Sequence, residues 1–291
     1  MNEFDAFIES AWQAHAEQTR EVADRLAASL QRVETPDQVA RYAGLVSHVY
    51  GEHLGDSAAG IALLQRLGAS KVGEGDPDAR QAVARHVAAL RHVAGAPMAT
   101  DRLQGAERVG ALAAAAAMQA GRRSFDAALG TYRQALHGAE PGLPADSPAI
   151  RALAIGGNNL AAALEEKTDR TPAQTAGMVD AARAALAQWQ RAGTWLEEER
   201  AEYRLAHSLL QAGSPAAAVE PARRCVAICT QQAAAPFERF FGHAVLAQAL
   251  RASRDLAGSE AERAQARSCF EQVATDERVW CEAELARLDA L

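Results

Sequence analysis

Cys225 and Cys229 stand four residues apart, the spacing that puts two ligands on one face of a helix. Cys269, Cys281 or His243 could complete a zinc set if the fold brought them near. The competing reading is that isolated cysteines on alanine-rich helices pack as small hydrophobes. Two histidine pairs, His48 with His53 and His86 with His92, are separated by five and six residues, so on an α-helix neither pair faces one way cleanly. Glu165 with Glu166, and the run Glu197 to Glu199, read as solvated helix ends, because adjacent positions do not share the face that a paired acid and base need. Gly156 and Gly157 have no strand before them and fit close helix packing better than a phosphate site. No phosphate loop, dinucleotide fingerprint or nucleophile elbow is present. No catalytic residue or metal ligand is therefore assigned, no cofactor is expected, and the chain reads as a non-enzyme.

Bulk properties narrow the setting. The 291 residues, 49% of them hydrophobic, can bury a continuous core. Four cysteines are too few for a secreted disulfide framework. The acidic start from Met1 to Asp5 lacks the basic segment of a signal peptide, so cytoplasmic residence is expected. A net charge of −7 argues against nucleic acid as a partner. Lys71 and Lys167 are the only lysines, which leaves nearly all positive charge to arginine, whose fork can hold a carboxylate. The uncharged run from Val109 to Gly121 has 13 residues, against the roughly 20 that cross a bilayer, and no membrane span is expected.

These residues must be positioned by helices. Alanine dominates whole segments and no run alternates with period two, so the fold class is all-α. The pattern predicts helices near 2–31, 36–53, 57–67, 77–93, 101–120, 124–138, 148–167, 172–192, 195–212, 215–232, 236–252, 259–275 and 277–289. Thr35 with Gln38, Thr171 with Gln174 and Thr194 with Glu197 form capping-box pairs. Gly68, Gly121, Gly193 and Gly213 are placed to end helices in the left-handed conformation. In the first helix Phe4, Phe7, Ile8 and Trp12, then Val22, Leu26 and Leu30, make an apolar stripe. Core packing is the expectation for it, since Glu3, Asp5, Glu9, Glu17 and Glu21 disfavour an anionic membrane surface. Two loops stand out, 69–78 and 138–147, the latter carrying Pro141 and Pro144. One domain, 1–291, is expected, with subregions 1–139 and 147–291.

A frame recurs through the second half: Leu160-Ala161 with Leu164, Leu205-Ala206 with Leu209, and Leu246-Ala247 with Leu250. Second helices of the hairpins carry Ala128, Tyr132 and Ala135; Ala185, Trp189 and Ala192; and Ala266, Phe270 and Val273. Small residues let a neighbouring backbone approach while the aromatic fills the space between hairpins. Together these elements resemble the tetratricopeptide repeat (TPR) family over roughly residues 110–275, in degenerate form. The first-helix frames lie 45 and 41 residues apart, against a family repeat of 34. One second-helix frame reads Ala218, Ala222 and Cys225 without the aromatic, and Pro221 inside it is expected to kink or interrupt the helix. The resemblance implies a TPR-like α-solenoid of stacked antiparallel hairpins.

In such proteins the first helices line the concave surface, which selects Asn158, Asn159 and Glu165 on one helix, Arg200, Tyr203, His207 and Gln211 on the next, and Phe241, Gln248 and Arg251 on the last. Asparagine amides could clamp an extended peptide, or bond to a neighbouring helix. Arg200, Arg204 and Arg251 could hold acidic groups, or be solvated. Packing is expected over ligand stacking for Tyr203 and Phe241, and His207 fits a surface or a satisfied histidine better than a catalyst. The implied function is a non-catalytic scaffold or adaptor that binds a protein or peptide. The alternatives are a helical enzyme or metal-binding protein built from dispersed His, Cys and Glu, and a self-associating homodimer.

Overall fold

A computed structural model describes residues 2–140 and 142–291; Met1 and Pro141 lie outside these, and with them part of the acidic start and one of the two prolines noted in the 138–147 loop. The described residues contain no β-strand. In chain order the helices are α1 (Glu3–Ala14), α2 (Thr19–Ala28), α3 (Pro36–Ser47), α4 (Ser57–Gly68), α5 (Lys71–Gly75), α6 (Pro77–Val93), α7 (Gly105–Gly121), α8 (Phe125–Ala139) and α9 (Pro148–Glu165). They continue with α10 (Pro172–Ala192), α11 (Trp195–Gln211), α12 (Pro215–Gln231), α13 (Pro236–Ala252), α14 (Leu256–Gln272) and α15 (Arg278–Asp289). The chain forms two compact units, Met1–Ala163 and Leu164–Leu291, divided within α9 and not at the 138–147 loop. No helix among the described residues is long and apolar enough to cross a membrane.

The first unit is the less regular. The helix expected over 2–31 is two helices, because the chain turns at residues 15–18. There the His15 ring binds the Trp12 carbonyl and the Thr19 hydroxyl donates to the His15 carbonyl at 2.8 Å, so side chains take over carbonyls that a continuing helix would use. Phe4, Phe7, Ile8, Val22 and Leu26 are buried as the stripe predicts, whereas Trp12 is 40% exposed. The phenols of Tyr42 and Tyr50 reach back to the Leu26 and Ala23 carbonyls of α2 and tie it to the core. The capping box of Thr35 and Gln38 starts α3, which passes into a π-helical turn, His48–Leu54, and ends at Gly55 with φ +68°. The short helix α5 occupies a stretch expected to be loop, started by the Ser70 hydroxyl.

The second unit shows the hairpin pattern. Each of α10 to α14 packs on its successor, and α11, α13 and α15 also touch one another in sequence. Leu205, Ala206, Leu209, Leu246, Ala247 and Leu250 are all buried, as their shared frame requires. Capping boxes at Thr171 and Thr194 begin α10 and α11 as expected. Pro221 does not interrupt its helix: α12 runs unbroken from Pro215 to Gln231. Pro221 lies in its second turn, where only one interior donor is lost, and the flanking Ala218, Ala222 and Cys225 are fully buried against neighbours.

Helix ends also differ from expectation. Among the four glycines proposed for left-handed ends, only Gly213 has positive φ, at +71°. Yet one turn recurs after α6, α7, α11, α12 and α13, in which an amide bonds back five residues: Ala96 to Arg91, Ser124 to Gln119, Ser214 to Leu209, Ala234 to Cys229 and Asp255 to Leu250. This is the Schellman arrangement. Its left-handed position is held by Gly95, Arg123, Gly213, Ala233 and Arg254 respectively, so three of the five use residues that carry a Cβ.

Candidate functional site

The sequence-selected residues of the second unit gather on α11 and α13. The Thr194 box fixes the start of α11 and hence its rotation, turning Glu199, Glu202, Ala206 and Leu209 inward. Glu199 and Glu202, at 1% exposure each, were expected in solvent or unremarked; they are buried because they share the face of Ala206 and Leu209. Glu165 is buried too, a second departure from the solvated helix end expected there, with its side chain 5% exposed.

Glu165 accepts from Arg204, from the His207 ring at 2.9 Å and from the Ser208 hydroxyl at 2.6 Å. Burial pushes its carboxyl up, but the hydrogen bond from His207 and the charges of Arg204 and His207 outweigh that, and the net displacement is downward. Beside it, Arg170 donates to the carbonyls of Leu164, Glu165 and Lys167 at 2.7, 3.0 and 2.6 Å and caps the end of α9, while its other arm reaches Gln211 at 3.0 Å. Tyr203 stacks on His207, ring centroids 6.0 Å apart, and Phe241 meets Tyr203 edge-on at 5.6 Å. The Tyr203 hydroxyl donates to Glu284 of α15 at 2.9 Å, and Gln248 and Arg287 donate to the same carboxylate. Burial, then the Glu284 charge, drive the Tyr203 phenol well above its ordinary value, so it remains a neutral donor.

Further along α11, Arg200 grips Glu238 of α13 with two nitrogens. Glu199 accepts from the Cys225 thiol at 2.9 Å, and burial, reinforced by nearby Glu238, moves its carboxyl up to about 7. Burial likewise moves Glu202 to about 7, against the pull of Arg224 at 3.5 Å. Cys225 and Cys229 are buried and free of disulfide. The neighbouring Cys229 sulfur, burial and the Glu199 charge hold the Cys225 thiol far above the range where a thiolate nucleophile forms. Glu199 is beside Cys225, but among the described residues the two cysteines are not part of any group of three ligand atoms all within 4.8 Å of one another, and His243 instead pairs with Glu262 at 2.6 Å.

The candidate residues thus divide into two kinds. Arg200, Tyr203, His207, Phe241 and Gln248 engage partners within the second unit. Asn159 and Arg251 are exposed and Asn158 is half-buried. Exposed Ile155, 42% accessible, lies one turn before Asn159 on α9. The missed residues Glu238 and Glu284 left one trace in the sequence: each lies three or four residues from an apolar residue of its own helix, on the buried side.

No family model and no curated protein matches this chain. Solved structures that resemble it include the crystal structure of Podosopora anserina putative kinesin light chain nearly identical TPR-like repeats, at 16% identity and TM-score 0.46 over 81% of this chain and 96% of that one. A single-substitution variant of the same protein superposes with 18% identity and TM-score 0.42, with the same coverage.

Proposed function

We propose that this protein is a non-catalytic helical-repeat scaffold that binds a protein or peptide, with Asn158, Asn159 and, separately, Arg251 among the residues that meet the partner. The observation that carries this reading is on α9: a large apolar side chain, Ile155, stands 42% exposed with Asn159 exposed one turn later on the same face. An apolar anchor beside an amide that both donates and accepts is a minimal peptide-recognition pair. The paired state of the α11 and α13 groups supports the same reading. Their hydrogen-bonding capacity is used inside the unit, which assigns them to holding the helices in place and leaves the solvent-facing groups for a partner.

The test is the double substitution Ile155→Asp with Asn159→Ala, assayed against a partner recovered by affinity purification from the native host. Binding is expected to weaken at least about tenfold, the equivalent of about 1.4 kcal/mol. Unchanged affinity would remove the α9 face from the account. Self-association is a second reading, favoured by adjacent Val279 and Trp280 of α15 at 58% and 73% exposure. Solution mass decides it: a dimer that Trp280→Ser converts to monomer supports it, and a monomeric wild type at micromolar concentration rejects it.

A further inference from the structure

Three imidazoles converge in the first unit although their spacing on an α-helix would keep them apart. His15 caps the end of α1, and His48 and His53 lie within the π-helical turn. A π-turn closes bonds between residues five apart, so it returns His53 to the side of His48. The two Nε2 atoms are 3.0 Å apart. The His15 ring lies 4.7 Å from that of His48 and 5.0 Å from that of His53, centroid to centroid. One nitrogen from each of the three rings falls within 4.8 Å of the others, and this is the single such group of three among the described residues.

The surrounding helices enforce this geometry. At Gly51 an added Cβ would come within 2.0 Å of Met118 Sδ and 2.9 Å of Leu90 Cδ2, so any side chain there would have to displace Met118 and Leu90 where α6 and α7 pack on the π-turn. Glu52 lies over Gly121, where a Cβ would come 2.2 Å from its Cγ, and its Oε2 reaches His48 Nδ1 at 2.9 Å. That contact settles a tautomer. A carboxylate only accepts, so His48 Nδ1 carries the proton and Nε2 is a lone pair. By the same reasoning His15 Nδ1, facing the Trp12 carbonyl, is protonated and its Nε2 is free to ligate. Ring packing with Trp12, whose ring centre is 4.9 Å from that of His48, accounts for proximity. It does not account for two rings whose far nitrogens are both held by acceptors.

We infer that His15, His48 and His53 form a mononuclear site for a zinc-class divalent cation, with Glu52 and the Trp12 carbonyl orienting two of the ligands and a fourth position open to water. Imidazole nitrogens without carboxylate or carbonyl ligands select zinc and its transition-metal neighbours over magnesium or calcium. Two nitrogens on a tetrahedral zinc stand about 3.3 Å apart, close to the observed separation of the His48 and His53 pair. An acceptor behind the ligating ring is the arrangement that raises its basicity and fixes its direction. The ion would fasten the end of α1 to the π-turn.

The site is tested on tag-free protein dialysed to equilibrium against Zn2+, with metal content measured per chain and Co2+ absorption read as a probe of coordination. One zinc per chain is expected, with the visible bands of low-coordinate cobalt. His53→Ala, at an exposed position that leaves folding intact, and His48→Ala and His15→Ala should each weaken binding at least about tenfold. Glu52→Gln should weaken it about tenfold with all three imidazoles present. His137→Ala, at an exposed residue of α8, should leave it unchanged. A wild type that takes up no zinc, or a His53→Ala protein that matches wild type, would overturn the proposal.

Discussion

A carboxyl buried on a helix face keeps its proton longer than the same group in an unfolded chain, and Glu199 and Glu202 carry that signature. An unfolded glutamate loses its proton near its ordinary value of 4.5, while folded Glu202 does so at about 7. Between those values the folded chain holds a proton that the unfolded chain has released, so stability falls as pH rises from about 4.5 to about 7 and levels above. Glu165 has the opposite sign: its contribution is present at neutral pH and is lost only as pH drops through its lowered folded value. Urea unfolding at pH 5.5 and pH 8 should show lower stability at pH 8, by on the order of 2 kcal/mol. Glu202→Gln should remove about half of the difference and leave the part that Glu199 carries; an unaltered slope would contradict the assignment. Glu284 receives Tyr203, Gln248 and Arg287, and Glu284→Ala strands those donors, with an expected loss of about 2–4 kcal/mol in the urea midpoint analysis. These acids were hard to foresee. An isolated glutamate looks solvated unless its helix rotation is known, and only the apolar positions of α11 reveal that Glu199 and Glu202 point inward.

At the scale of elements, hydrophobic spacing and capping chemistry made α9 to α14 legible, with α10 and α13 found at the expected bounds. Thr171, Thr194, Gly213 and the buried leucine frames act locally, so their types announce their places. The π-turn and the Schellman turns do not announce themselves, because the reasons lie in other helices. Gly51 matters through Met118 and Leu90, and nothing within the 48–54 stretch says so. Gly51→Ala should destabilise by about 1–3 kcal/mol, read in thermal unfolding, through forced displacement of Met118. The left-handed Ala233 and Arg254, at φ +48° and +69°, give the opposite test. Ala233→Gly and Arg254→Gly relieve a Cβ clash at exposed turns and should each raise stability by up to about 1 kcal/mol. A fall in melting temperature for both would contradict the turn assignment.

Over the whole chain, composition alone indicated an all-α protein, and the architecture follows from hairpins whose consecutive helices pack on each other. The division within α9 was not legible, because a helix that belongs to two compact units has the same periodicity as one that belongs to a single unit. For function the sequence offered only what its resemblance implies. Resemblance pointed to first-helix side chains as partner contacts, and the structure sorts these into an internally paired set around Tyr203 and His207 and an exposed set around Asn159. Hydrogen–deuterium exchange of the protein with and without its purified partner tests that sorting most directly. New protection is expected on α9 from Ile155 to Asn159, with the amides of Tyr203 to His207 unchanged. Protection confined to α11, with α9 unaffected, would contradict it.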